Sequence, residues 1–393
     1  MKILVYAHDL AMGGSQINAI ELAAATRDFG HEVTLTAPPG VLAASILDLG
    51  LPYVPTPVST YYPSVRTARH LSRLVRDLSI DVVHAYEWRP AVEATFGPHL
   101  RQRTPLLFTV LSMSVPNYLP RHVPLIVGTR ELAAQWVADR TVYLMEPPID
   151  TELNRNTSSS IARARWNLDE DEIVLSVVCR LTHDLEKLEG VLTAMHVVWE
   201  LSEQLPLRFL IVGDGEGFSE VEHKANSINQ RAGRELIIAA GQMMDPRQAY
   251  DAADIVLGMG SSALKGMAFS KPLIVQGTSG FWKLLQPETL PIFFEQGWFG
   301  HGGNGANDLA PIIRQLAADK ALRMQLGVFG RGIVEEHFSL AGAAAQLDRI
   351  YEMTVAATCP AMRRIPALLR SAARISKFRA VNAIRAVRAR AAS

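Results

Sequence analysis

The sequence lacks the features that would place the protein in a membrane or outside the cell. It contains no apolar run of about 18 residues, the length that spans a bilayer. The amino terminus enters a strand pattern at once, whereas a secretory signal has a longer apolar stretch and a small-residue cleavage site. Cys179 and Cys359 are its only cysteines, so there is no disulfide framework. These absences predict a protein of the reducing cytoplasm.

Common cofactor patterns are also missing. The turn after the first predicted strand carries Gly13 and Gly14 but not the Gly-x-Gly-x-x-Gly of dinucleotide folds, which argues against a nicotinamide cofactor. No cluster of histidines and cysteines argues for a metal ion, and no short-period repeat is evident. We therefore expect no cofactor and no metal site.

What remains is typical of a large α/β protein. The chain has 393 residues, of which 48% are hydrophobic and 20% charged, and this length predicts two domains with sizeable cores. The pattern breaks near 146–150, where two prolines precede a polar stretch. We predict a first domain over 1–148, a second over 149–338, a returning helix over 339–358 and a basic tail over 359–393.

Apolar segments alternate with helical spacing throughout both halves, which predicts two successive doubly wound sheets. We place a surface loop at 51–63 and a helix whose first turn is capped by Asp245, with Gln248 reaching back. Strands are predicted at 2–7, 32–37, 81–85, 105–110, 124–128 and 141–145, and then at 172–179, 207–213, 236–239, 254–257 and 272–276.

The stretch 254–275 predicts a strand, a small-residue loop at 258–262, a helix and a second strand. Gly260 would let the backbone approach a ligand closely. Ser261 or Ser262 would cap the helix, whose free amides and dipole favour an anion such as a diphosphate. The alternative is that the loop only turns a strand into a helix.

Two cations follow the first strand of the second half. Arg180 and Lys187 lie in the connection after this strand, where an arginine can bind a diphosphate by paired hydrogen bonds and a lysine as a point charge. The structural alternative is that Arg180 pairs with Asp184 or Glu186 and that Lys187 is solvated.

The order and spacing of several motifs resemble glycosyltransferase family 4 over about residues 1–357. The matching stretches are His8-Asp9, Gly13-Gly14-Ser15-Gln16, Pro148-Ile149-Asp150, Arg180-Leu181, Lys187-Leu188-Glu189-Gly190, Val212-Gly213-Asp214-Gly215, Gly241-Gln242, Tyr250-Asp251-Ala252-Ala253-Asp254, Ala263-Leu264-Lys265-Gly266-Met267-Ala268, Lys271-Pro272 and Glu336-His337-Phe338-Ser339. The resemblance implies a GT-B fold, in which two Rossmann-like domains face a cleft and a C-terminal helix returns to the first domain. It also implies transfer of a sugar from a nucleotide-diphosphate donor, with retention at the anomeric carbon.

The resemblance implies a role for each matching residue. Arg180 and Lys187 would hold the donor diphosphate and stabilise the charge of the leaving group. The base region would comprise Gly213, Gly241, Gln242 and Met243, and the diphosphate region Gly13, Gly14, Gly260, Ser261, Ser262, Ala263, Leu264 and Lys265. His8, Asp9 and His84 are candidates for the acceptor side, although a sheet-end histidine satisfied by its neighbours is an equal alternative.

Three departures from the family pattern leave the donor open. Lys265 occupies the second of two usual glutamate positions and cannot accept hydrogen bonds from a ribose. The segment after Val110 lacks the usual His-Gly or His-Asp, and Arg180 and Lys187 are two residues further apart than usual. A catalytically silent GT-B partner protein and a sugar-nucleotide epimerase therefore remain alternatives.

The tail differs in charge from the rest of the chain. It carries nine basic and no acidic residues after Pro360, which leaves 30 basic against 39 acidic residues before it. Apolar residues recur at three- or four-residue steps between the arginines, the pattern of a basic amphipathic helix on an anionic membrane surface. A helix packed on the acidic body is the alternative. Nothing else in the chain supports nucleic-acid binding. The expected partners are a nucleotide sugar, a glycan or lipid-linked acceptor, and an anionic membrane through 361–393.

Overall fold

Two mainly parallel sheets organise the chain, each in its own structural unit. The computed structural model describes residues 1–59, 62–112, 114–357 and 360–391, with side chains up to 381. Tyr61, Met113 and Cys359 lie outside the described residues. The first unit comprises Met1–Pro147 and Leu340–Ser393, and the second comprises Pro148–Ser339.

The first unit contains a seven-stranded parallel sheet in the order β3-β2-β1-β4-β5-β6-β7. The order reverses between β1 and β4, so the loops that follow these two strands diverge to opposite faces and leave a crevice. Apolar residues of both sheet faces are buried because helices cover both. The strands are β1 (Lys2–Tyr6), β2 (Glu32–Ala37), β3 (Tyr53–Pro55), β4 (Val82–Tyr86), β5 (Leu106–Val110), β6 (Leu125–Val127) and β7 (Val142–Leu144).

Six helices connect these strands in the part of the chain that the structure describes. Ser64 caps the third, since its side chain accepts a hydrogen bond from the Thr67 amide. A π-helical turn, Thr95–His99, joins the fourth to the fifth. The helices are α1 (Gly14–Asp28), α2 (Ala43–Asp48), α3 (Val65–Asp77), α4 (Trp88–Ala94), α5 (Leu100–Gln102) and α6 (Arg130–Trp136).

The second unit contains a six-stranded sheet in the order β10-β9-β8-β11-β12-β13. All neighbours are parallel except β13, which pairs antiparallel with β12 at one edge. The order reverses between β8 and β11, which defines a second switch point. The strands are β8 (Ile173–Val178), β9 (Leu207–Val212), β10 (Ile237–Gly241), β11 (Ile255–Gly258), β12 (Leu273–Gln276) and β13 (Trp282–Leu284).

Helices pack on both faces of this second sheet. On one face, strand residues and helix residues form a large apolar cluster. A short 3-10 turn, Asp184–Glu186, precedes α8. The helices are α7 (Ser159–Ala164), α8 (Lys187–Leu201), α9 (Phe218–Ala232), α10 (Arg247–Ala252), α11 (Ser261–Ala268), α12 (Leu290–Gln296), α13 (Ala306–Ala318) and α14 (Lys320–His337). The predicted class, two doubly wound α/β sheets, is confirmed.

Two local predictions need correction, and one edge strand was missed. The stretch predicted as a surface loop contains the edge strand β3, whose tyrosine and valine pair with β2. The edge strand β13 was not predicted, because its alternation of buried Trp282 and Leu284 with Lys283 between them extends over only three residues. Asp245 accepts a 3.1 Å hydrogen bond from the Arg247 backbone amide, as a capping residue would, but Gln248 does not reach back and instead accepts a hydrogen bond from Arg165, so there is no capping box.

The chain returns to the first unit through α15 (Leu340–Ala356), as predicted. Its buried residues Leu347, Ile350 and Tyr351 join the apolar cluster around α1 and β1. Asp348 accepts a 2.8 Å hydrogen bond from His31. The returning helix is thus a structural part of the first unit.

The tail forms α16 (Ala361–Ala391), and its first half packs against the first unit. Leu368 and Ile375 are buried, and the Ser371 hydroxyl donates to the Tyr118 carbonyl at 2.5 Å. This contact agrees with the alternative of a tail helix packed on the rest of the protein. It buries part of the apolar face of the tail that we expected to lie on a membrane. Met362 and Leu369 remain exposed. Within the described ranges, no helix is both long enough and apolar enough to cross a bilayer.

Candidate functional site

The second switch point brings together the two loops that we predicted to bind an anion. Strands β8 and β11 are direct neighbours in the sheet, paired in parallel through residues such as Leu175 and Ile255. Arg180 and Lys187 follow β8, and the Gly-Ser loop follows β11. Since parallel neighbours end at the same edge, both loops lie at the carboxyl edge of the second sheet, where such folds bind ligands.

The Gly-Ser loop presents unpaired amides at the start of α11. The helix begins after Gly260, whose φ of 56° and ψ of −134° suit only glycine. Among the described residues, no acceptor is bonded to the amides of Ser261, Ser262 and Ala263, whereas the Leu264 amide already donates to the Gly260 carbonyl. The cap is therefore Gly260, not a serine as we predicted, and Leu264 offers no free amide. Three adjacent free donors and the helix dipole favour an anion at this position.

Gly258 lets this helix start close to the strand. A Cβ added there would lie 2.9 Å from the Ser262 hydroxyl oxygen and 3.1 Å from the Ala263 nitrogen. The Ser262 hydroxyl is itself buried and has no hydrogen-bond partner among the described residues. A buried hydroxyl in that state is uncommon in proteins, and one beside free amides is available to a ligand oxygen.

Lys187 is placed by a strained turn. Leu185 and Glu186, directly before it, both have φ near 54°, a region that residues with a side chain avoid. The Glu186 carboxylate accepts a 2.7 Å hydrogen bond from the Ser279 amide, which holds the turn against the loop after β12. The Lys187 ammonium, mostly buried, lies 3.1 Å from Asp184. Asp184 therefore competes with a phosphate for this ammonium, which has three donors.

Gln276 is a positioning residue that our reading of the sequence missed. Its buried amide donates to the carbonyls of Glu186 and Lys187 at 3.1 and 3.2 Å. A Cβ on Gly190 would lie 1.8 Å from the Gln276 amide nitrogen, so the glycine of the Lys-x-x-Gly motif makes room for this side chain. A polar residue that ends a buried strand was the only available signal.

Arg180 lies on an exposed segment that the glycine loop after β9 supports. Gly213 and Gly215 have φ of 145° and 151°, and added Cβ atoms would meet the carbonyl oxygens of Cys179 and Leu181 at 1.8 and 2.4 Å. Gly213 therefore acts here as a packing partner of the Arg180 backbone, in addition to its predicted place near the base.

Buried side chains link Lys187 to the serine turn. Burial raises the pKa of the Cys179 thiol to about 12, and the nearby Lys187 ammonium acts in the opposite direction. Burial also raises the pKa of Tyr250. The neighbouring Ser262 hydroxyl acts against this shift, and the Cys179 thiol acts with it. The Tyr250 and Ser262 hydroxyls do not reach hydrogen-bond geometry with each other, and neither has a partner among the described residues. The ammonium, the tyrosine and the serine turn thus belong to one neighbourhood.

Lys265 and the predicted base region lie along the same edge. Gly241 ends β10 with φ of 69°, and Gln242 and Met243 follow it. Hydrogen bonds from Arg247 lower the pKa of Asp245, and the charge of Lys265 acts in the same direction. Lys265 therefore lies near a carboxylate supplied by the turn after β10.

In the first unit, the glycine turn after β1 also ends in free amides. Gly13 is the cap of α1, and the amides of Gly14, Ser15 and Gln16 have no acceptor among the described residues. Gln16 donates to Asp9 at 2.7 Å, and its amide lies 3.1 Å from His8. Burial raises the pKa of Asp9, but hydrogen bonds outweigh it, and the net pKa lies below its ordinary value.

Glu87, a second residue missed by our sequence reading, ties this turn to a neighbouring loop. Directly after β4, it is buried and has φ of 69°. Its carboxylate accepts hydrogen bonds from the Ser15 hydroxyl at 3.2 Å, the Leu111 and Ser112 amides, and the Ser112 hydroxyl at 2.7 Å. The end of a buried strand next to a switch point could have drawn attention to it.

His84 does not belong to the acceptor side. It lies inside β4, has no exposed surface and is hydrogen-bonded to the Tyr351 hydroxyl at 2.8 Å and the Thr109 hydroxyl at 2.7 Å. Burial lowers its pKa to about 3. A neutral imidazole with both nitrogens occupied is a core residue.

No group of three or more histidine, cysteine, aspartate or glutamate side chains within the described ranges has a geometry that could hold a metal ion.

Two family models match the sequence, one in each half. The model described as "Glycosyl transferase 4-like domain" matches residues 13–145, and the model described as "Glycosyl transferases group 1" matches residues 158–332. Among curated proteins, none matches the sequence significantly.

Solved structures of glycosyltransferases share the fold. A glycosyltransferase from Rickettsia africae has a TM-score of 0.73 at 16% identity, over 91% of this chain and 99% of that one. Anabaena HepE in complex with UDP-glucose has a TM-score of 0.68 at 16% identity, over 90% and 99%. WaaG, a glycosyltransferase involved in lipopolysaccharide biosynthesis, has a TM-score of 0.60 at 15% identity, over 88% and 99%. With both family models matched in order and a GT-B fold, the chain belongs to the family-4-like glycosyltransferases.

Proposed function

We propose that this glycosyltransferase moves a hexose from a nucleotide-diphosphate sugar to an acceptor, with retention at the anomeric carbon and without a metal ion. The observation that carries the proposal is that Lys187 and the free amides of 261–263 lie in the connections that follow the adjacent strands β8 and β11. HepE, which has the same fold, has been solved with UDP and with UDP-glucose, and this supports a nucleotide-sugar donor.

The physical task of such a site is to stabilise a leaving diphosphate. Negative charge grows on the diphosphate as the bond to the sugar breaks, and preorganised donors lower the barrier most where water is excluded. The amides of 261–263 are fixed by the helix, and Lys187 is fixed by the strained turn before it. Arg180 would add a guanidinium from the same connection. Exchange of Asp184 for a phosphate would release Lys187 for this role.

Activity assays would test the proposal directly. The wild-type chain is incubated with a panel of UDP- and GDP-sugars, and sugar release or transfer is measured. Lys187→Ala and Arg180→Ala should each lower kcat/KM by about 100-fold or more, the usual loss for one donor to a developing anion. Lys320→Ala, which removes an exposed lysine at the start of α14, is the matched control and should leave kcat/KM unchanged.

Other outcomes would favour the two alternatives. A wild-type chain that binds no nucleotide would point to a catalytically silent partner protein, for which Lys265 in place of a carboxylate is the best argument. Turnover of a sugar nucleotide to its epimer, without transfer, would point to an epimerase.

We further propose that the acceptor is a membrane-associated glycan or a lipid-linked sugar, and that the protein works at the cytoplasmic face of the membrane. Support comes from α16, which carries nine basic residues and exposes Met362, Ile365 and Leu369. WaaG, which shares the fold, is involved in lipopolysaccharide biosynthesis.

Deleting the tail would not test membrane binding cleanly, because Leu368 and Ile375 are buried against the first unit. Ile365→Glu and Leu369→Glu change only exposed positions and should abolish co-sedimentation with anionic vesicles. Val328→Glu, on the exposed surface of the second unit, is the control. Equal co-sedimentation of wild type and both tail variants would remove the membrane proposal.

A further inference from the structure

A small cavity in the first unit is lined by aromatic rings and two arginines. It has a volume of about 220 Å³ and lies between α16 and the start of α4. Trp88, Tyr118 and Phe378 contact one another, with ring centroids 5.4 to 6.3 Å apart. The tail helix thus supplies one wall of a cavity whose other walls belong to the body of the unit.

The arginines at this cavity are Arg89 and Arg379. The Arg89 guanidinium carbon lies 4.3 Å from the centre of the Tyr62 ring and 5.0 Å from that of Trp88. These cation–π contacts hold the guanidinium at the cavity, so less entropy is lost when it binds a ligand. Within the described ranges, no carboxylate lies within ion-pair distance of either guanidinium, although the charge of Arg89 acts at longer range on Asp9 and Glu93.

The open volume is more than helix docking requires. Leu368 and Ile375 already anchor α16, with 6% and 8% of their surface exposed. Phe378 lies one turn further on, and 42% of its surface remains exposed although it contacts two aromatic rings. If this contact served only to dock the helix, the Phe378 ring would be buried.

The cavity lies close to the acceptor-side turn of the same unit. Arg89 is near enough to Asp9 for its charge to contribute to the low pKa of that carboxyl, after the larger effects of burial and hydrogen bonds. Asp9 follows β1 at the first switch point. Trp88 and Arg89 directly follow β4, which is the parallel neighbour of β1 in the sheet. The cavity that they line therefore borders the carboxyl edge of the sheet, where ligands of this fold bind.

We propose that this cavity binds a sugar that carries an anionic group, a carboxylate or a phosphate, as part of the acceptor. The apolar face of a sugar ring packs on aromatic rings, and a guanidinium binds a carboxylate or phosphate by paired hydrogen bonds. The volume suits a single ring. The role as acceptor subsite rests on the proposed transferase function, but binding of the sugar itself does not.

The test measures binding to the full-length chain without any turnover. Methyl β-D-glucuronide and glucose 6-phosphate are the anionic probes, and methyl β-D-glucoside is the neutral one, each followed by saturation-transfer NMR and calorimetry. At least one anionic probe should bind about tenfold or more tightly than the neutral probe, and the probe that does so identifies the anionic group.

Variants then assign the binding to the cavity. Arg379→Gln should remove most of the preference for an anion, and Phe378→Ala should weaken all probes. Lys377→Gln removes one charge from the same helix at a position that does not line the cavity, and it should change nothing. Folding of each variant is checked by circular dichroism.

Three results would overturn the proposal: no binding of either anionic probe, equal binding of charged and neutral probes, or equal losses in Arg379→Gln and Lys377→Gln. UDP binding, measured on the same samples, separates this proposal from the transferase function. A chain that binds UDP but no anionic sugar loses only the subsite. A chain that binds an anionic sugar but no nucleotide keeps the subsite and loses the proposed donor.

Discussion

Replacement of Gly190 by alanine probes the contact that positions Lys187. The new Cβ would lie 1.8 Å from the Gln276 amide nitrogen and 2.3 Å from its Cδ, so the glutamine must leave its place. It then loses two hydrogen bonds to the Glu186 and Lys187 carbonyls, worth together about 2 kcal/mol. Overpacking adds about 1–3 kcal/mol.

Helix propensity acts against this loss. Alanine is about 1 kcal/mol more favourable than glycine inside a helix, because glycine loses more backbone entropy. We therefore expect Gly190→Ala to lower the free energy of unfolding by a net value of about 2–4 kcal/mol. Gly332→Ala is the matched control. Gly332 lies inside α14 with no atom near the added Cβ, so this change should stabilise by about 1 kcal/mol.

A double-mutant cycle isolates the contact, with urea unfolding as the assay. In a Gln276→Ala background the clash partner is gone, and Gly190→Ala should become stabilising, as in the control. The predicted reversal of sign depends on one side chain. An equal destabilisation in both backgrounds would refute the idea that Gln276 occupies the space above Gly190.

Three further predictions concern buried polar groups. Tyr250→Phe removes a buried hydroxyl that has no partner among the described residues, so thermal unfolding should occur at the same or a higher temperature, and a clear loss of stability would contradict this. Glu87→Ala leaves four donors around Ser15 and Ser112 without their acceptor and should destabilise by about 2–4 kcal/mol in urea unfolding, whereas Glu131→Ala, at an exposed helix start, should change stability by less than about 1 kcal/mol. Because burial lowers the pKa of His84 to about 3, its contribution to stability is complete above the unfolded pKa near 6.5 and is lost as the pH falls from there towards 3, at roughly 1 kcal/mol per pH unit. His84→Gln should reduce the steepness of the measured loss between pH 6 and 4, and an unchanged pH dependence would contradict the assignment.

Apolar periodicity and glycine placement in the sequence determined most of the core strands and the loops at their ends. Continuous apolar runs predicted the core strands of both sheets because a parallel strand buried on both faces admits few other residues. The loop at 258–262 and the cations after β8 were also visible in the sequence, since small residues and cations at strand ends have a direct physical meaning. The short edge strands β3 and β13 were not, because three residues give too few positions for an alternation to appear.

The tertiary structure decided what each side chain contacts. His84 reads as a strand-end histidine, but the returning helix brings Tyr351 against it and makes it a core residue. Glu87 and Gln276 lie far along the chain from the loops that they bind, so no local pattern identifies them. The apolar stripe of α16 is the same on a membrane or on a protein surface. Only the packing of Leu368 and Ile375 on the first unit shows which part of it is already covered, because a hydrophobic pattern specifies burial and not the partner that provides it.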